Sequence, residues 1–129
     1  MENEQKIKLL LVEDDAMLSE MYVKKFVLEN FEVLAARDGE EGLETALREK
    51  PDIVLLDLLM PKKDGMTMLK ELRQDPWGKT VPTIILTNLN ANDKIIQEIT
   101  ENQPAYYLMK TNAVPSEVVD KIKEVLKVQ

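Results

Sequence analysis

Continuous apolar runs recur along this chain, and each stops abruptly at polar residues. Leu9-Leu10-Leu11-Val12 runs into Glu13-Asp14-Asp15, and Ile53-Val54-Leu55-Leu56 runs into Asp57. Thr83-Ile84-Ile85-Leu86 runs into Thr87-Asn88, and Ala105-Tyr106-Tyr107-Leu108-Met109 into Lys110. Short apolar runs without polar alternation are the pattern of strands buried on both faces, as in parallel sheets. The core has no use for a carboxylate at the end of such a strand, but a binding site does. If the runs lie side by side, three carboxylates (Glu13, Asp14 and Asp57), a hydroxyl and an ammonium meet at one sheet edge. Ligands bind at that edge in open α/β sheets.

Between the runs lie amphipathic segments, and the two patterns alternate five times. The first strand is expected over residues 7–12 and the first helix over 15–29, with Leu18, Tyr22 and Phe26 inward. A second strand at 31–36 precedes a helix from about Gly39 to Arg48 with Leu43, Ala46 and Leu47 inward, and Pro51 breaks it. The third strand is 52–57, and Asp64-Gly65 opens a third helix carrying Met68, Leu69 and Leu72. Asp75-Pro76-Trp77-Gly78 breaks the chain before the fourth strand at 82–87. A fourth helix is expected from Asn92 to Glu101, a fifth strand over 105–109, and a fifth helix from Pro115 with Val118, Ile122, Val125 and Leu126 on one stripe. Strict alternation implies a parallel sheet with helices on both faces, because right-handed crossovers allow little else. These elements fill all 129 residues, so 1–129 reads as one domain with no effector domain.

Composition narrows the chemistry. The chain has no cysteine, which excludes disulfides, thiolate catalysis and zinc–thiolate sites. It has no histidine either, which removes the commonest general base and metal ligand. A bound metal must then be a hard cation on oxygen ligands. The net charge of −7 comes from 24 acidic and 17 basic residues with no basic block, so no direct nucleic-acid partner is expected. The polar N-terminus has no signal-peptide core and no apolar stretch is long enough for a membrane span, so a cytoplasmic protein with no membrane partner is expected.

Asp57 could be a metal ligand, a nucleophile or the first residue of a loop. The turn Met60-Pro61-Lys62-Lys63-Asp64-Gly65 behind it favours a built site over a drifting loop. Asp15 suits the N-cap of the first helix. Glu13 lies before that helix, on the strand end, where capping explains it poorly. Lys110 reads as a surface charge, as a structural partner for Asp57 or, with a phosphoryl group present, as a clamp on it. Thr87 reads either as a β-branched strand residue or as a hydroxyl donor at the sheet edge. Trp77, at the far end of the sheet, reads as structural.

With those residues in place, the chain resembles the receiver domain of bacterial response regulators over residues 6–128. The resemblance rests on Val12-Glu13-Asp14-Asp15, on Asp57-Leu58-Leu59-Met60-Pro61-Lys62-Lys63-Asp64-Gly65, on Thr87 after an apolar strand, and on Tyr107 three residues before Lys110. It implies a flavodoxin-like (βα)5 three-layer sandwich with strand order 2-1-3-4-5. It implies that Asp57 is the phosphoacceptor and that Asp14, Asp57 and the Leu59 backbone carbonyl bind Mg²⁺ (or Mn²⁺), with Glu13 acting through water. Thr87 and Lys110 would grip the phosphoryl oxygens, and Tyr107 would turn inward on activation. The face of the fourth helix, fifth strand and fifth helix would then change its affinity for a downstream protein, as a monomer or a phosphorylation-favoured dimer. Such a domain catalyses its own phosphorylation and dephosphorylation without being a conventional enzyme. The phosphodonor histidine would come in trans, from a sensor kinase or phosphotransfer protein.

Two positions depart from the family pattern. Thr111 follows Lys110 where proline is usual, and Asn88 follows Thr87 where a small residue is usual. Asn88, together with Leu59, is expected to tune access to Asp57. The departures leave open a receiver-like interaction module that works without phosphorylation. A haloacid-dehalogenase-like phosphohydrolase would carry a second Asp two residues after the nucleophile, where this chain has Leu59. A flavodoxin-like cofactor binder would need a phosphate cradle, and the loop after the first strand is acidic.

Overall fold

The computed structural model describes residues 6–57, 63–87, 97, 101, 106–109 and 114–127, with Thr87 and 106–109 described by their backbone alone. Five parallel strands, β1 (Lys8–Val12), β2 (Glu32–Ala36), β3 (Ile53–Leu56), β4 (Thr83–Thr87) and β5 (Tyr106–Met109), form one sheet in the order β2-β1-β3-β4-β5. Helices α1 (Ala16–Leu28), α2 (Gly39–Glu49) and α3 (Gly65–Gln74) and a C-terminal helix (Pro115–Leu126) cover it. This is the parallel α/β plan that the alternation implies, in the flavodoxin-like strand order that the resemblance implies. Predicted and observed ends differ by a residue or so, as fraying ends do. The expected helix at 92–101 lies outside the described residues except for Gln97 and Glu101. No described helix is long and apolar enough to cross a membrane.

Strand alternation divides the interior into two cores. Leu10, Val12, Val54, Leu56 and Ile85 face α2 and α3, where Ala46, Met68, Leu69 and Leu72 meet them. Leu9, Leu11, Ile53, Leu55, Ile84 and Leu86 face the other way, onto Tyr22 and Phe26 of α1 and Val118, Val119 and Ile122 of the C-terminal helix. The rings of Tyr22 and Phe26 stack at 5.7 Å. β3 is apolar throughout, and β1 from Leu9 onward, because both faces are covered, whereas β2, at the edge, leaves Glu32 and Ala35 exposed.

The helix starts follow local chemistry. Asp15 caps α1 by accepting the Leu18 N–H at 3.0 Å. Asp38 accepts the Glu41 N–H at 2.8 Å, and the Glu41 side chain reaches back to the Arg37 N–H at 2.9 Å. Asp64 caps α3 through the Thr67 N–H at 2.8 Å. Lys50 ends α2 in the left-handed region at φ 49°, and Pro51 follows.

One inward stripe differs from its expectation. In α2, Ala46 is buried and Leu43 packs partly buried against the core, as expected, but Leu47 is exposed, and Gly42 and Thr45 are buried instead. The helix lies so close to β1 that a Cβ on Gly42 would come within 3.0 Å of the Val12 side chain. Only small residues fit that approach, and Leu47, one residue beyond Ala46, turns to solvent. Trp77 packs half-buried against the core near the start of β4, the structural role expected of it.

Candidate functional site

The C-terminal ends of β1 and β3 lie side by side, with Val12 opposite Leu56. The ladder continues one residue past each strand: the Glu13 N–H donates to the Ala36 carbonyl at 3.0 Å and the Asp57 N–H to the Val12 carbonyl at 3.1 Å. Glu13 and Asp57 are therefore fixed by backbone bonds at the point where the sheet ends. Both side chains are buried, at 2% and 5% exposure, while Asp14 is exposed. One carboxylate oxygen from each of Glu13, Asp14 and Asp57 lies within 4.8 Å of the other two.

Three carboxylates at this spacing repel one another. A pair near 4 Å costs about 4 kcal/mol at an effective dielectric near 20, and burial of two members keeps water from screening them fully. A divalent cation cancels that repulsion. The donors are hard oxygens, so the set fits Mg²⁺ or a similar hard cation. Asp15, next in sequence, caps α1, and its N–H donates to Glu13 Oε2 at 3.1 Å, which holds Glu13 from below.

Lys63, two residues before α3, is tied down from two sides. Lys63 Nζ contacts Glu71 Oε1 of α3 at 2.6 Å, and the Lys63 carbonyl accepts the Gly39 N–H at 2.9 Å. A Cβ on Gly39 would lie 2.1 Å from that carbonyl oxygen, so α2 can approach the turn only with glycine there. The sequence places Gly39 at a helix start and Lys63 in the segment before α3 but does not bring the two together. Their contact joins segments 24 positions apart, and no local pattern announces it. An open groove of about 530 Å³ adjoins the acidic cluster, with Glu13 at one side and Ser19, Glu20, Arg37 and Glu41 among its other walls. Arg37 was likewise not anticipated at the site.

Of the other expected site residues, Thr87 ends β4 in register with Met109, and Tyr107 pairs with Ile85. Both therefore belong to strands that run toward the same sheet edge as β1 and β3. Leu59, Asn88, Lys110 and Thr111 lie outside the described residues.

Comparison with known proteins agrees with this arrangement. The response regulator receiver domain model matches residues 9–123. Transcriptional regulatory protein CpxR of Klebsiella pneumoniae subsp. pneumoniae is 45% identical over 80 residues, which is 62% of this chain and 33% of CpxR. RstA of Escherichia coli (strain K12) is 35% identical over 103 residues, 80% of this chain and 41% of RstA. The chain thus spans less than half the length of these curated relatives. The crystal structure of the BeF3-activated N-terminal receiver domain of Klebsiella pneumoniae RstA superposes with a TM-score of 0.82 at 29% identity, over 93% of this chain and 98% of that one. With the sheet order, the clustered acids at its edge and these matches in agreement, the chain belongs to the response regulator receiver domain family.

Proposed function

We propose that this receiver accepts a phosphoryl group on Asp57 from a phosphohistidine of a sensor kinase or phosphotransfer protein. The observation that carries this reading is the approach of Glu13, Asp14 and Asp57 to within 4.8 Å, with Asp57 buried at the end of a central strand. A carboxylate is already ionised near neutral pH, so no general base is needed, which suits a chain without histidine. An Asp57 oxygen forms the new bond to phosphorus as the phosphorus–nitrogen bond of the donor breaks, and the electron pair returns to the imidazole nitrogen.

Asp14, Asp57 and the Leu59 carbonyl would hold Mg²⁺ directly, and Glu13 through water. When bound, the cation supplies charge neutralisation for the phosphoryl oxygens. Lys110 would place an ammonium on those oxygens and Thr87 a hydroxyl. Tyr107 would follow Thr87 inward. Asn88 and Leu59 would set how easily a donor or water reaches Asp57. Residues 1–129 would act as one cytoplasmic receiver unit. Its output is a protein contact on the face of the helix expected at 92–101, β5 and the C-terminal helix.

Intact-mass analysis after incubation with Mg²⁺ and acetyl phosphate tests the proposal. One phosphoryl adduct is expected, absent in Asp57→Asn and without metal. A folded protein that binds Mg²⁺ yet gains no adduct from acetyl phosphate or a phosphohistidine donor would overturn it in favour of a phosphorylation-independent interaction module.

A further inference from the structure

Arg37 sits one step past the end of β2, level with the acidic cluster. Val12 is in register with Ala36 on one side and with Leu56 on the other. Both ladders run on by one bond, from the Glu13 N–H to the Ala36 carbonyl and from the Asp57 N–H to the Val12 carbonyl. The next row of the sheet edge therefore reads Arg37, Glu13, Asp57, with neighbouring backbones about 5 Å apart. Residues level with one another on adjoining strands project to the same side of a sheet, and Arg37 and Glu13 share the walls of one groove. Glu20 and Glu41 line that groove as well, so Arg37 is the one cation set against carboxylates on every side. Among the described residues the guanidinium is not engaged elsewhere. Arg37 is exposed and joins no ion pair there. Glu41 Oε1 accepts the backbone N–H of Arg37 at 2.9 Å, as the reciprocal half of the α2 cap. The other described arginines are occupied: Arg48 meets Glu49 at 3.3 Å, and Arg73 donates to the Gly78 and Val81 carbonyls at 2.8 Å.

We infer, on the metal reading of Glu13, Asp14 and Asp57 given above, that Arg37 sets how tightly this cluster holds its divalent cation. A guanidinium has no lone pair to offer, so Arg37 is not a ligand and acts through its charge on the acids beside it. That charge acts twice. Without metal it offsets part of the repulsion among the carboxylates and stabilises the metal-free cluster. With metal it opposes a second positive charge at the same acids. Both effects weaken binding. The cluster then fills only where Mg²⁺ is abundant, and the fraction of chains ready to accept a phosphoryl group follows the Mg²⁺ concentration.

A charge series at position 37 tests this. Arg37→Lys, Arg37→Gln and Arg37→Glu all keep the backbone N–H that donates to Glu41, so the start of α2 is preserved. Melting temperature followed over a series of Mg²⁺ concentrations gives the affinity, and the metal-free melt gives the stability of the cluster alone. Arg37→Lys should match the parent chain. Arg37→Gln should bind Mg²⁺ about three- to fivefold more tightly, the range of an exposed charge pair, and Arg37→Glu more tightly still. Metal-free stability should fall in the same order as affinity rises. Both trends should shrink in high salt, which screens exposed charges. Arg48→Gln removes the same charge from the last turn of α2 and should leave the affinity unchanged. A merely structural role for Arg37 would lower stability and affinity together. That result, or a single affinity across the series in a chain that binds Mg²⁺, would overturn the inference alone. A parent chain that binds no Mg²⁺ would overturn the metal reading of the acids and this inference with it.

Discussion

Three carboxylates within 4.8 Å of one another repel, and this gives Asp57 a measurable signature apart from phosphorylation. Asp57→Asn removes one charge from the cluster while keeping the shape of the side chain. In metal-free buffer it should raise unfolding stability by about 1 kcal/mol or more, since each close pair it relieves is worth several kcal/mol before solvent relaxation. The wild-type chain should gain about 2.7 kcal/mol from Mg²⁺ at one hundred times its dissociation constant, and the variant much less. Asp15→Ala is the contrast: it should cost about 1 kcal/mol through loss of the α1 cap and leave the Mg²⁺ response intact. Thermal melts with and without Mg²⁺ read all three. Equal melting and equal metal response in wild type and Asp57→Asn would remove the metal reading of the cluster.

At the scale of elements, the contact between α2 and Lys63 has a specific weak point. Gly39→Ala places a methyl group 2.1 Å from the Lys63 carbonyl oxygen, and Gly78→Ala places one 2.1 Å from the Leu72 carbonyl oxygen. Both should destabilise by about 1–3 kcal/mol as overpacking does. Only Gly39→Ala should also weaken Mg²⁺ binding, measured by calorimetric titration, because only it displaces the turn that leads from Asp57. Equal Mg²⁺ affinity in the two variants would reduce Gly39 to a packing residue. This contact also marks where sequence stops being informative. The apolar runs of β1, β3 and β4 and the caps at Asp15 and Asp64 are local signals, and local signals are legible. Gly39 against Lys63, and Gly42 against Val12, depend on how closely two elements approach, which no periodicity encodes. Leu47 was placed inward for the same reason: its spacing fits a stripe, but the approach at Gly42 rotates the helix toward smaller residues. Glu29 links α1 to the C-terminal helix and carries a pH dependence. Its hydrogen bond with Lys25, supported by Lys123, holds its carboxyl below the usual value of 4.5. A depressed carboxyl pKa contributes stability that is present above the unfolded value and lost as pH falls through the folded one. Glu29→Gln should therefore flatten the decline in stability below pH 4.5, a small effect for so exposed a pair, read as melting temperature against pH.

For the molecule as a whole, the sheet is a partition. Ile84 and Ile85 are neighbours in β4, both fully buried, yet Ile84 belongs to the core beneath α1 and the C-terminal helix and Ile85 to the core beneath α2 and α3. Among the described residues no helix packs on both cores, so the strand backbones join them, and the acidic site sits at the strand ends where both cores close. Deleting one methyl on each face tests this division. Ile84→Val and Ile85→Val should each cost about 0.5–1.5 kcal/mol. Their side chains share no cluster, so the double variant should lose the sum to within about 0.5 kcal/mol in chemical denaturation. A coupling well above that would mean that the sheet bends to relieve a cavity on one face at the expense of the other. The strand ends at Glu13 and Asp57 would then move with the cores, and placement of the three carboxylates would depend on packing on both faces. Additive costs would instead leave the site set by the backbone ladder that fixes Glu13 on Ala36 and Asp57 on Val12, so each variant should melt earlier and keep the Mg²⁺ affinity of the parent chain.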